Sequence, residues 1–261
     1  MSEQLSWPRL QVLLRNHSIG EYRNWVIASA VVVGVLLIGA LMSGNDERSN
    51  DPYYRVAFFA ILVVWGTIQS SLAFSELHDK NKNTGYLLLP ASALEKTLAP
   101  LLTTTVVLIA YLLVLTAAAS AVIEGLNWLA FRRTQHALFN PFAPDVWTSI
   151  ARYLVVQSWF FVGAAWFRKA HYIKTLLATL VASCGFLGLV VVSALVAGLA
   201  AFTPDALHLQ AGISEWLFVA NPSVDAVFRA LIAVAWSVVL PVFCWFVAWL
   251  RVSETQVSHG V

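Results

Sequence analysis

Six stretches of nearly unbroken apolar residues, roughly Trp25–Met42, Val56–Phe74, Leu98–Ile123, Ile150–Phe167, Ile173–Phe202 and Ala226–Leu250, alternate with polar connections along the chain. A bilayer hydrocarbon core about 30 Å thick is crossed by roughly 20 apolar residues in a helix, and each block reaches or nearly reaches that length. None shows the in/out alternation of a barrel strand. The pattern predicts an all-α integral membrane protein, a single transmembrane domain over 1–261 with six transmembrane helices and both termini on one side.

Composition agrees. The chain of 261 residues is 59% hydrophobic and 11% charged, whereas soluble domains sit near half apolar and a quarter charged. The net charge of +2 is too small to argue for nucleic acid, and no basic run occurs. The first twenty residues mix polar and apolar positions and lack the layout of a cleaved signal peptide, so the N-terminus is expected to stay on the protein. Cys184 and Cys244 lie inside apolar blocks and are expected to be small buried core residues; two thiols make neither a disulfide framework nor a metal set.

Basic residues set the orientation. On the side of the termini lie Arg9, Arg15, Arg23, Lys80, Lys82, Lys96, Arg168, Lys169, Lys174 and Arg251; the other side has Arg48, Arg55, Arg132, Arg133, Arg152 and Arg229. All five lysines fall in the first group. The positive-inside rule places both termini and the 75–97 loop in the cytoplasm, and the acidic stretch GNDERSND (44–51) outside.

Two further segments carry a pattern. Within residues 1–22, Trp7, Leu10, Leu13 and Leu14 recur at helical spacing with Arg9 and Arg15 elsewhere, and Pro8 suits a first helical turn. This predicts an N-terminal amphipathic helix over Trp7–Ile19 in the cytoplasmic interface, either a plain anchor or a mechanical part. The 203–225 segment holds Trp216, Leu217 and Phe218 but is too interrupted to span; short helices dipping into the outer leaflet are expected there.

Catalytic chemistry is missing from the sequence. There is no P-loop, no H-E-x-x-H, no G-x-S-x-G and no pair of carboxylates within one span. His17, His78, His136, His171, His208 and His259 are scattered, with surface positions expected for each. Glu124 is placed just past the third span, and the span interiors offer only polar groups such as Gln69, Ser70, Gln157, Ser158, Ser183 and Ser193. Ion-coupled carriers usually hold acids or histidines at membrane depth, so a self-driven carrier is disfavoured and energy is expected to come from a partner. Trp159, Phe160, Phe161 and Trp166 either line a pathway for an amphiphilic substrate or simply pack against lipid and bundle.

The most structured connection is FSELHDKNKNTGYLLLPASALEKTLAP, residues 74–100. Ser92 and Glu95 stand at capping-box spacing, Pro90 keeps the preceding chain extended, and Pro100 should kink or break the helix that Ser92 starts. A short cytoplasmic helix over Ala93–Ala99, turning into the third span, is expected, with Glu76, His78, Asp79, Lys80 and Lys82 forming a polar knob before it. The plain alternative is a solvated hairpin.

This stretch, together with WFRKAHYIKTLLATL (166–180) and AWLRVSETQ (248–256), resembles a poorly characterised bacterial branch of the permease subunits of ABC-2 type ABC transporters. The resemblance covers the layout end to end. It implies a permease in the cytoplasmic (inner) membrane of a bacterium, most simply an exporter, working as a homodimer or with a sister permease. The energy would come from a separate cytoplasmic ABC ATPase subunit that binds ATP and Mg; this chain would carry no cofactor, no metal and no catalytic residue. The contact with that ATPase would be a coupling helix at Glu76, Leu77, His78, Asp79, Lys80 and Lys82. Arg168, Lys169 and Lys174 would make a smaller second contact, Trp7, Arg9 and Arg15 would belong to the interfacial helix beside them, and 203–225 would be an extracellular re-entrant segment. The rival readings are a self-sufficient carrier or channel, an intramembrane enzyme, and a membrane scaffold.

Overall fold

The computed structural model describes residues 8, 11–13, 22–43, 53–75, 92–132, 134, 136–167, 171–200 and 222–258. All regular structure among these is helical. Helix α1 is Tyr22–Ser43 and α2 is Tyr53–Leu72; α3 is assembled from Ala93–Leu102, a π-turn at Thr103–Val107, and Leu108–Phe131. Helix α4 is Pro144–Trp166, α5 is His171–Ala200, and α6 joins Pro222–Val234, a second π-turn at Ala235–Val239, and Leu240–Ser258. Pro8 and residues 11–13 are helical, within the expected amphipathic segment.

Five helices are long and apolar enough to cross a membrane, over Tyr22–Met42, Tyr53–Leu72, Ala93–Ala130, Tyr172–Ser193 and Ala226–Thr255. The fourth apolar block, in α4, has the length but not the same apolarity, because Arg152, Gln157 and Ser158 interrupt it; Arg152 is exposed and the other two are enclosed. Its neighbours supply the reason. Helix α4 packs against α2, α5 and α6, and Tyr153, Gln157, Ser158, Phe161 and Ala164 are fully shielded. A helix enclosed by protein can carry polar groups that a lipid-facing helix cannot, provided each finds a partner. Helix α5 is the opposite case: only 6% of its apolar window is buried, and Leu177, Leu180, Val181, Leu187 and Leu189 are exposed.

The helices alternate in direction, and their ends gather in two sets. Ala73 and Phe74 after α2, Phe161 and Ala164 of α4, and Ala248 and Val252 of α6 form one apolar cluster, with Leu101 of α3 against it. At the other end Ala40 of α1, Tyr54 and Phe58 of α2, Ile123 of α3 and Val146 of α4 pack together. Glycine sets the closest approaches. A Cβ on Gly66 of α2 would run into the Tyr153 ring, and one on Gly163 of α4 would run into Thr175 of α5.

Several sequence expectations change here. Ser92 does start a helix, with the complete capping box: Glu95 N–H donates to Ser92 Oγ at 3.2 Å and Ser92 N–H to the Glu95 carboxylate at 3.0 Å. Pro100, however, does not end it. The helix runs through Pro100 into the third span without a separate short element. A proline inside a helix lacks its N–H and crowds the carbonyl four residues back. The π-turn that follows widens the helix, and the hydroxyls of Thr103, Thr104 and Thr105 donate to the carbonyls of Ala99, Pro100 and Leu101 at 2.9, 2.9 and 2.6 Å. The carbonyl that Pro100 leaves without its N–H is that of Lys96, one turn back, so the π-turn and the threonine bonds belong to the turn after the proline. The second π-turn, by contrast, precedes its proline, ending two residues before Pro241.

The longer α3 also carries Glu124 inside the helix rather than past its end, and Glu124 is buried with Tyr54 donating to its Oε1 at 2.8 Å. His136, expected on the surface, is buried between Tyr53 and Tyr54 with Nε2 3.4 Å from the Ala40 carbonyl oxygen. Of the two cysteines, Cys244 is buried but Cys184 is exposed on α5, because that helix is apolar for contact with lipid and not with a core.

The glycine contacts give a stability test. Gly66→Ala should lower the thermal stability of the detergent-purified protein by about 1–3 kcal/mol, the usual cost of overpacking. Gly34→Ala, where a Cβ meets nothing within 4 Å, should be neutral or stabilising. Equal melting temperatures for the two variants would contradict the packing of α2 on Tyr153.

Candidate functional site

A seam of polar side chains runs between helices otherwise joined by apolar contact, and it starts at the π-turn of α3. Thr104 lies in that turn. From α4, Tyr153 Oη donates to the Thr104 carbonyl at 2.7 Å and Gln157 Nε2 donates to Thr104 Oγ1 at 3.1 Å. From α6, Trp245 Nε1 donates to Gln157 Oε1 at 3.1 Å. Gln157 therefore bridges the other two helices with both ends of one amide. Next to it, Ser158 Oγ donates to the Val155 carbonyl at 2.7 Å, and Ser70 on α2 returns its hydroxyl to the Gly66 carbonyl at 2.7 Å.

The sequence accounts for the location. In the π-turn the helix is wider than in an α-helix, and there the Thr104 carbonyl accepts from Tyr153 on the neighbouring helix. A tyrosine can reach it only because Gly66 opposite has no side chain. All of Thr104, Tyr153 and Gln157 are buried, so each polar atom depends on the others.

Below the seam is the end of the bundle where α3 begins. Glu95 and Lys96 are buried there despite their charge, along with Thr97, whose hydroxyl donates to the Ala93 carbonyl at 2.8 Å. Phe74 meets Phe161 edge-on with centroids 5.0 Å apart. Arg251 of α6 lies over the Trp166 ring at 4.9 Å and pairs with Glu254 at 2.9 Å. Phe160 stacks on Tyr172, joining α4 to α5. The ends of α2, α3, α4, α5 and α6 are thus tied into one face.

Of the sequence-predicted site residues, Glu76, Leu77, His78, Asp79, Lys80 and Lys82 lie outside the described residues, as do Arg168, Lys169, Trp7, Arg9 and Arg15. On either side of the first group, Phe74 is built into the face just described, and Ser92 caps α3 through its bonds with Glu95. Lys174 is exposed in the first turn of α5, with its ammonium 6.0 Å from the Phe167 ring centroid. The aromatic group of α4 is divided: Phe160 and Phe161 are buried, while Trp159 and Trp166 are exposed. Sequence reading had singled out Gln157 and Ser70 as polar groups at depth but not their common meeting with Thr104, Tyr153 and Trp245. A proline followed by three consecutive threonines inside an apolar block was the available signal.

No protein-family model matches this sequence, and no curated protein or solved structure matches it either.

The seam predicts an unequal response to substitution. Gln157→Leu preserves size but strands the Trp245 N–H and should cost about 1–3 kcal/mol, the penalty for an unsatisfied buried donor. Trp245→Phe in that background should regain part of the loss, since the stranded donor is gone. Thermal melts of the two single variants and the double variant measure the coupling; strict additivity would mean that the bridge contributes nothing.

Proposed function

We propose that this chain is the permease subunit of an ATP-driven transporter of the ABC-2 type, most simply an exporter, energised by a separate cytoplasmic ATPase. In this reading all six long helices cross the membrane, α4 included. Both termini and the connection between α2 and α3 are cytoplasmic, the membrane is the inner membrane of a bacterium, and a second copy or a sister permease completes the pathway. ATP and Mg belong to the partner.

The observation that carries the reading is the junction at the start of α3. The connection expected to dock on the ATPase leaves from Phe74, which is anchored in the shared face, and re-enters at Ser92, which is held by the capping box with the buried Glu95. Helix α3 continues without interruption from that cap to the Thr104 bridge. A push on the connection would act on a rigid rod already hydrogen-bonded to α4 and, through Gln157, to α6. That is the mechanical arrangement a coupling loop requires. Carried over by resemblance, Glu76, Leu77, His78, Asp79, Lys80 and Lys82 make the main contact, Arg168, Lys169 and Lys174 the smaller one, and the helix bearing Trp7, Arg9 and Arg15 lies beside them.

One observation favours a second reading, a carrier that works without an ATPase. The sequence argument against it was the lack of acids at depth, and Glu124 is a buried acid within α3. Buried ionisable groups in spans commonly serve ion coupling.

Purification of the tagged chain in mild detergent separates the two. A stoichiometric soluble ATPase should co-purify. In Glu76→Ala with Asp79→Ala, its retention and its stimulated ATP hydrolysis should fall several-fold while the permease remains folded. Glu124→Gln should leave retention unchanged; this amide exchange is the suitable control because a charge reversal at a buried position would disturb folding. Solute uptake by vesicles containing this chain alone, abolished by Glu124→Gln, would overturn the ATPase reading in favour of the carrier.

A further inference from the structure

At the end of the bundle away from the α3 cap, the chain between α3 and α4 folds back on the helices. Arg132 closes α3 in a left-handed conformation with φ 56°, and its guanidinium lies 5.3 Å from the Trp128 ring centroid. The Phe139 N–H donates to Ser120 Oγ at 3.3 Å, and the Phe139 ring packs on Phe58 at 5.2 Å. This pinned strap encloses a hollow of about 220 Å³ with Tyr54 and Arg55 of α2 on one side and Ala137, Leu138, Phe139, Asn140 and Ala143 on the other.

We propose that this hollow binds the headgroup of a zwitterionic phospholipid, with the phosphate on Arg55 and the ammonium beside Asp145. The polar groups of the hollow offer hydrogen bonds in excess of what the protein accepts. Arg55 gives one N–H to Asp145 Oδ2 at 2.6 Å, out of the five that a guanidinium carries. Asn140 uses its side-chain oxygen to accept from the Phe142 N–H at 3.0 Å, which fixes the amide orientation and leaves its NH₂ as a donor. The Tyr54 hydroxyl is committed to Glu124, so this residue contributes a wall and no competing donor. Spare donors around an arginine match phosphate oxygens, which accept several hydrogen bonds at once.

The surroundings select a lipid as the source of that phosphate. Leu138, Phe142 and Trp147 are 62%, 82% and 54% exposed beside the hollow, and Trp128 at the same end is 52% exposed. Exposed tryptophan and aliphatic side chains at helix ends mark the headgroup level of a membrane protein, and an apolar rim there suits acyl chains. Asp145, 70% exposed, is paired with Arg55. It would repel a purely anionic headgroup and accept hydrogen bonds from a primary ammonium, so phosphatidylethanolamine fits better than phosphatidylglycerol or phosphatidylcholine. An exposed pair such as Arg55–Asp145 contributes little to folding, so this arginine is available for binding.

The experiment is native mass spectrometry of the full chain in detergent, offered equal amounts of phosphatidylethanolamine, phosphatidylcholine and phosphatidylglycerol. The wild-type chain should retain phosphatidylethanolamine preferentially. Arg55→Ala should reduce retention about tenfold, as expected for loss of a charge-assisted contact, with an unchanged melting temperature in lipid-free detergent. Asp145→Asn should fold normally, keep lipid binding and lose the discrimination against phosphatidylglycerol. Equal lipid retention by wild type and Arg55→Ala would overturn the proposal, and so would unaltered headgroup preference in Asp145→Asn. Displacement of bound lipid by soluble O-phosphoethanolamine at equal concentration would overturn the lipid assignment and leave a site for a free phosphate ester.

Discussion

The amide of Gln157 is the point on which the arrangement of α3, α4 and α6 depends. Inside an apolar bundle an unpaired donor or acceptor is costly, while a made hydrogen bond contributes only about 0.6–2 kcal/mol. Two such bonds on one side chain act less as glue than as a register mark. Gln157 reaches Thr104 and Trp245 together only if the three helices hold one rotation and one height relative to each other. Apolar packing by itself would tolerate small slips along the helix axes. The Tyr153 bond to the Thr104 carbonyl adds a third constraint, and it exists only where the π-turn widens the helix and Gly66 leaves room.

Hydropathy is distributed accordingly. The least apolar of the long helices, α4, is enclosed, whereas α5 is strongly apolar and little buried. In a soluble protein the most apolar helix would be the central one. Here lipid is the outer solvent, so apolarity marks what faces outward and polarity marks what has found a partner inside. Cys184 on α5 follows the same logic, being apolar enough for lipid and of no use to the core.

That inversion explains what could be read from the sequence and what could not. The apolar blocks located the helices, and five of them meet a span's demands of length and apolarity in the structure. Ser92 and Glu95 were legible because a capping box is local, complete within four residues and independent of what surrounds it. Pro100 does not break the helix: α3 runs on through the proline into the π-turn and the span, a continuity that no single position announces. Glu124 and His136 were misplaced for a different reason. Their burial is produced by Tyr53 and Tyr54, some seventy or eighty residues earlier in the chain, and pattern reading sees no contact at that separation. The Gln157 bridge belongs to the same class: its residues were visible, but their meeting was not.

The two ends of the bundle are joined by different contacts. At the Tyr54 end, the strap is fastened by Phe139 to Ser120 and Phe58 and by His136 to the two tyrosines, so helix ends there are fixed to one another by many short-range contacts. At the Ser92 end, the buried Phe74–Phe161 pair sits among the small residues Ala73, Ala164, Ala165 and Ala248. Gln157 stands on α4 one turn from Tyr153 of the first cluster and one turn from Phe161 of the second, so the bridge is made where the two clusters adjoin. There α3 departs from α-helical pitch, and the Thr104 carbonyl and hydroxyl both accept from α4. The polar seam is therefore the joint between the two apolar clusters of the bundle.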